Sequence, residues 1–116
     1  MEEAFEVRAV TKYVRISPQK VRRVIGQLKG KQVDEALAML EFMPQKAARI
    51  VSKTIKSAIA NAEENLGLSR EDLYIARIYA DQGPTRRWRR FAARGRIRPI
   101  RRRYSHITVV LAERIS

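Results

Sequence analysis

Between Gln82 and Ala112 the chain carries ten arginines and no acidic residue. The densest stretch, Asp81-Gln-Gly-Pro-Thr-Arg-Arg-Trp-Arg-Arg-Phe-Ala-Ala-Arg-Gly-Arg-Ile-Arg-Pro-Ile-Arg-Arg-Arg-Tyr104, interleaves these cations with Trp88, Phe91 and Tyr104. A guanidinium is a planar fork of donors that matches phosphate oxygens and whose flat face stacks on bases, and aromatic rings stack on bases that are unpaired. That is chemistry for holding a polyanion, and folded RNA offers both kinds of partner. A second basic group, Lys20, Arg22, Arg23 and Lys29, follows Ser17-Pro18. Two readings of it stay open from the residues alone: a solvated face of a helix that packs its other side, or a face toward RNA.

Little in the chain suits catalysis. His106 is the only histidine, set in a strand-like run and without an HExxH context, so a structural or phosphate-neighbouring role is expected of it. Glu63-Glu64 and Glu71-Asp72 are adjacent acids at a helix end and in a connector, where carboxylates are ordinarily solvated. Five glycines form neither a dinucleotide fingerprint nor a phosphate loop, and no spacing of His, Asp and Glu suggests a metal. The absence of cysteine excludes disulfides and thiolate metal sites. No catalytic residue, cofactor or metal is expected.

The whole chain has 116 residues and a formal charge of +13, from 25 basic and 12 acidic residues. Without the ten arginines, the remainder holds 15 basic and 12 acidic residues, a surplus of only three. Charge this segregated points to a polyanionic partner. The length suits one domain with one core. Met1 to Phe5 has neither the basic start nor the apolar run of a secretory signal, and no stretch approaches a membrane span, so a soluble cytoplasmic protein is expected.

The elements that must position these residues can be read from periodicity. Residues 4 to 15 alternate as a half-buried strand, continued by Tyr13-Val14-Arg15-Ile16. Ser17-Pro18 opens a helix whose apolar face is Val21, Val24, Ile25 and Leu28, closed by Gly30. A short helix is predicted over Val33 to Met43, with Ala36, Leu37, Leu40 and Met43 inward and Asp34 and Glu35 in its first turn. A long one runs from Gln45 to about Leu66, with Ala47, Val51, Thr54, Ile55, Ala58, Ile59 and Ala62 as its stripe and Gly67 as its stop. Strand character returns at Leu73 to Ala80, with Leu73, Ile75, Arg77 and Tyr79 on one face, and again at Ser105 to Glu113. If these last two strands pair, the simplest connection is that both continue outward as a ribbon, bent at Gly83-Pro84, turning near Arg90 to Ala93 and reaching roughly 30 Å. Alternation sets Arg86, Trp88 and Arg90 against Arg87, Arg89 and Phe91, so neither face is apolar, and the order of such a ribbon must come from an anionic partner. A disordered basic loop is the plainer alternative, but it does not explain why the strand period resumes on both sides.

Five runs, in this order and spacing, closely resemble the L-twenty-two family of large-subunit ribosomal proteins: Val14-Arg-Ile-Ser-Pro-Gln-Lys-Val-Arg22, Ser57-Ala-Ile-Ala-Asn-Ala-Glu-Glu-Asn65, Asp81-Gln-Gly-Pro84, Ala93-Arg-Gly-Arg96 and Ser105-His-Ile-Thr-Val-Val-Leu-Ala-Glu113. The resemblance implies an α+β fold of three helices packed on a three-stranded antiparallel sheet, with a long protruding basic β-hairpin. It implies a single domain in which residues 1–82 and 105–116 form the globular body and residues from about 83 to 104 form the arm. It also implies a structural constituent of the large ribosomal subunit that acts as a monomer within the ribosome. Its partners would be large-subunit rRNA, neighbouring ribosomal proteins and the nascent polypeptide, met at a hairpin tip in the wall of the exit tunnel. On this reading rRNA contacts fall to Arg15, Ser17, Lys20, Arg22, Arg23, Arg86, Arg87, Arg89, Arg90, Arg94, Arg96, Arg98, Arg101, Arg102, Arg103 and His106, and the tip to Arg87, Trp88, Arg89, Arg90, Phe91 and Ala92. Phe91-Ala-Ala-Arg-Gly-Arg96 lacks the proline that the family typically has at the position of Phe91. A second reading, a DNA-bending protein with basic β-arms, rests on the same arm and its aromatic wedge.

Overall fold

The computed structural model describes residues 6–82, 86–92, 96–102 and 104–114; within 86–92 and 96–102 the description is of backbone and pairing. The elements run β1 (Glu6–Val14), α1 (Pro18–Ile25), α2 (Val33–Glu41), α3 (Lys46–Leu66), a 3₁₀ turn (Arg70–Asp72), β2 (Leu73–Gln82), β3 (Arg86–Ala92), β4 (Arg96–Arg102) and β5 (Ser105–Glu113). β1, β5 and β2 form an antiparallel sheet in that order, and β3 and β4 form a separate two-stranded ribbon. Thus β5, the last strand in sequence, is the middle one, and its inward residues Ile107, Val109 and Leu111 are fully buried.

The long helix lies on β1 and β5, and α1 lies on β2. Each position of the α3 stripe read from the sequence is buried, from Ala47 through Ala62. Small alanines bring this helix close to the sheet. One polar residue in the stripe, Thr54, is satisfied internally: its hydroxyl donates to the Ile50 carbonyl at 3.0 Å and so accepts from Thr11 at 2.6 Å. Gly67 ends α3 at φ 63°, and Leu68 returns its amide to Ala62. The first helix is shorter than its periodicity suggests. It stops at Ile25, and turns carry the chain to Gly30, whose φ of 84° suits glycine. Leu28 is nonetheless fully buried, so the apolar pattern is a core signal that outlives the helix. The second helix likewise ends at Glu41 rather than Met43.

Both outer strands break strict alternation. In β2 the register with β5 slips between Ile75 and Arg77. Leu73 and Ile75 therefore share the inward face with Ile78 and Ala80, not with Arg77 and Tyr79 as uninterrupted alternation would have it; an extra residue flips every side chain after it. In β1 the slip falls between Thr11 and Val14, with Tyr13 at φ 57°. It turns Val14 into the core after Val7 and Ala9. Beyond β2, the Gly30 amide meets the Ile75 carbonyl at 2.8 Å and the Ile75 amide meets the Lys31 carbonyl at 2.9 Å, which covers some of that sheet edge.

The molecule is 67 Å long but only 27 and 24 Å across. Its radius of gyration is 17.6 Å, against about 13 Å for a compact domain of this length. The excess follows from the ribbon, whose strands pair from Arg86↔Arg102 to Ala92↔Arg96. The chain thus reverses between Ala92 and Arg96, a little later than the reversal near Arg90 to Ala93 expected from the sequence. The expected bend at Gly83-Pro84 lies outside the described residues, as do Arg94 and Arg103.

Candidate nucleic-acid interface

The point where the ribbon joins the domain is tied together by side chains from three elements. Ser105, the first residue of β5, is fully buried, and its hydroxyl donates to the Ile16 carbonyl. Arg22 donates to the Ala80 carbonyl at 2.9 Å, linking α1 to the end of β2. His106 accepts the Tyr13 backbone N–H through Nδ1 at 3.1 Å. The ring of Tyr13 stands edge-on to His106, with centroids 5.0 Å apart, and to Tyr104 at 6.2 Å. Edge-to-face packing of this kind adds modest stability and fixes ring orientation. Tyr13 is 52% exposed, so the cluster also presents an aromatic surface. Nothing in the sequence singles out Tyr13, because only the bulge turns it beside His106.

Because Arg22 spends one donor on a carbonyl inside the fold, its loss has a structural cost that its neighbour's does not. Arg22→Met should lower unfolding stability by about 1 kcal/mol, as for a partly exposed charge-assisted bond. Arg23→Gln should leave stability within about 0.5 kcal/mol of the parent. Urea denaturation of the two variants checks this difference.

Arg15, Ser17, Lys20 and Arg23 meet around one cleft of about 510 Å³, with Ile16, Gln45, Lys46 and Ala47 completing its lining. Sequence reading names the first four of these residues. It misses Gln45 and Lys46, since helical periodicity says nothing about which helix starts lie side by side. Arg22 and His106 are not in this lining; they sit at the ribbon's root.

The ribbon itself carries four arginines on each strand and no acid. Its register opposes Arg86 to Arg102, Arg87 to Arg101 and Arg90 to Arg98. Like charges directly opposite each other destabilise a strand pair, and a two-stranded ribbon has little else to offset them. Trp88 pairs with Ile100 and Phe91 with Ile97, so two apolar rungs interrupt the charged ones. Pro99 is accommodated because each strand has a free edge. Arg87, Trp88, Arg89, Arg90, Phe91 and Ala92 all lie on β3, with Phe91 and Ala92 nearest the reversal. Among the described residues no group of three or more His, Asp or Glu is placed to hold a metal, and no helix is long and apolar enough to cross a membrane.

A small α+β domain with a basic two-stranded arm and a second cluster of cations near the arm's root defines a nucleic-acid-binding protein of the kind that grips by an extended surface. Comparison with known proteins narrows this class. The family model for ribosomal protein L22p/L17e matches residues 9–112, which include the whole arm. The large ribosomal subunit protein uL22 of Carboxydothermus hydrogenoformans is 53% identical over 109 residues, covering 94% of this chain and 96% of that protein. Its counterpart in Chloroflexus aggregans is 56% identical over the same length and coverage. In Thermoanaerobacter pseudethanolicus the figure is 52%, covering 94% of this chain and 98% of the relative. The chain belongs to the ribosomal protein L22p/L17e family.

Proposed function

We propose that this protein is a non-catalytic structural constituent of the large ribosomal subunit, binding and organising large-subunit rRNA through its arm and the basic surface at the arm's root. The observation that carries this reading is the register of the ribbon: three of its seven rungs set arginine against arginine, with no acid on either strand. Such a ribbon gains when phosphates approach both of its faces, which folded RNA provides and a protein surface does not. Family membership and the names of the relatives support the ribosomal assignment, and neighbouring large-subunit proteins follow as further partners. Within this reading the rRNA-binding set retains Arg15, Ser17, Lys20, Arg23 and the arm arginines, with Arg22 and His106 bracing the root. Arg87 to Ala92 of β3, of which Phe91 and Ala92 lie nearest the reversal, contribute to the wall of the peptide tunnel and meet the nascent chain.

Gel-shift titrations against a structured large-subunit rRNA fragment and a DNA duplex of equal length, at one salt concentration, test the proposal. Binding of the rRNA by a monomer, at least tenfold tighter than the duplex, is expected. A stable homodimer that prefers the duplex would instead favour DNA bending.

A further inference from the structure

The two edges of the three-stranded sheet are not treated alike. The outer edge of β2 is closed by the chain itself: Gly30 donates to the Ile75 carbonyl, the Ile75 amide donates to the Lys31 carbonyl, and Gln32 bridges antiparallel to Tyr74. The outer edge of β1 has no such cover among the described residues, where β1 pairs with β5 alone. From Glu6 to Thr11 the register with β5 is unbroken, so every second residue there turns its N–H and C=O away from β5. Past Thr11 the edge ends, since the strand bulges and Tyr13 gives its amide to His106. Val7 and Ala9 are buried on the side of α3, which leaves Arg8, Val10 and Lys12 exposed. Val10 and Tyr13 are two of the four large apolar residues that the described part of the fold leaves exposed. Glu6 is held by Arg77 at 3.2 Å, whereas Arg8 and Lys12 take part in none of the ion pairs found among the described residues.

We propose that this edge takes a strand from another protein, an extended segment whose acidic, apolar and acidic side chains at alternate positions lie against Arg8, Val10 and Lys12. The backbone decides the class of partner. An open edge offers N–H and C=O groups in alternation, and a second peptide backbone returns an acceptor for each donor and a donor for each acceptor, whereas phosphates offer acceptors alone. The side chains decide the sign, because opposite charges directly across a strand pair stabilise it and like charges do the reverse. A second copy of this chain fits less well: the antiparallel register that sets Val10 on Val10 also sets Arg8 against Lys12. The inference adds a protein-binding edge to the RNA-binding reading above and uses none of the cations assigned there to RNA.

The test uses the isotope-labelled full-length protein and short capped peptides, read by amide chemical shifts. One peptide alternates threonine with glutamate, valine and glutamate; a second has lysine in place of both glutamates; a third is the glutamate peptide N-methylated at each internal residue, which keeps its side chains and removes its N–H donors. The glutamate peptide is expected to shift the amides of Glu6 to Thr11 and to bind about fivefold more tightly than the lysine peptide. The methylated peptide should shift none of them. Arg8→Glu with Lys12→Glu, both at exposed positions, should reverse the preference between the two unmethylated peptides, with thermal melting to verify the fold. Equal binding of the methylated peptide, or shifts confined to residues outside β1, would overturn the edge and show attraction by charge alone. No shift at a peptide concentration of about 1 mM would overturn it as well, and self-association through the same amides would give the edge to a second copy. The comparison of the methylated and unmethylated peptides is made on the unaltered protein, and rRNA binding is read separately by the gel shifts above.

Discussion

Glutamine at Arg86, Arg87, Arg90, Arg98, Arg101 and Arg102, the three arginine-against-arginine rungs of the ribbon, should weaken rRNA binding by about a thousandfold and flatten its salt dependence. Each guanidinium on a phosphate is a charge-assisted contact, and even a net contribution of about 0.7 kcal/mol apiece, well below the usual range for such bonds, accumulates to three orders of magnitude over six residues. The salt slope gives a more specific signature. Six phosphates neutralised release counterions equivalent to a log–log slope of roughly −4 to −5, and that much should vanish from the variant. Nitrocellulose filter binding over 50 to 300 mM salt, roughly the range in which such slopes are resolved, measures both quantities. A slope that survives the six substitutions would move the main RNA contact from the arm to the globular domain. The same substitutions remove cross-strand repulsion, so the loss of binding should occur without a loss of folding stability.

Within ribosomes, the aromatic and the arginine rungs of the arm should fail differently. Trp88→Ala with Phe91→Ala should leave subunit assembly intact and change what the tunnel wall does, read as altered nascent-chain pausing or altered sensitivity to drugs that bind in the tunnel. Arg98→Ala, Arg101→Ala and Arg102→Ala together should impair incorporation into the large subunit several-fold, because they remove three of the four arginines of β4, which are proposed to grip phosphates. Gradient profiles and drug susceptibility of the two strains provide the comparison. An aromatic variant that fails to assemble beside an arginine variant that assembles normally would reverse the division of labour.

Much of the domain is legible in the sequence because its helices and β5 obey a single period over their whole lengths. The stripe from Ala47 to Ala62 is buried as the 3.6-residue repeat requires, and Ser105 to Glu113 matches its strand to the residue. The misses share one cause. At Ala76 and at Lys12–Tyr13 an additional residue enters a strand, and alternation read from the sequence continues in the wrong phase beyond it. Nothing local marks these positions, since what fixes them is the demand of β5 that Ile78, Ala80 and Val14 face the core. The helix that stops at Ile25 while Leu28 remains buried is a similar case, because burial and helicity carry the same apolar spacing for one more turn.

The site divides along the same line. Charge segregation is additive along the chain, so composition alone locates the arm. The cleft is only half visible, because Lys46 joins Arg15, Lys20 and Arg23 through the packing of α1 against α3, a contact between residues more than twenty positions apart. For His106 the sequence supports a structural or phosphate-neighbouring role. Its Nδ1 holds the Tyr13 amide, which places it as a brace at the root, and the aromatic cluster it forms depends on the bulge that the sequence does not announce.

Residence in the large subunit underlies all of these expectations, and sedimentation of a cell lysate through a sucrose gradient tests it most directly. The protein should migrate with the large subunit in near-stoichiometric amount and stay there through a high-salt wash, because an arm threaded through folded RNA, as proposed, would be held by many simultaneous contacts and not by surface charge alone. Release to the top of the gradient by the salt wash, or migration with DNA in place of ribosomes, would contradict it.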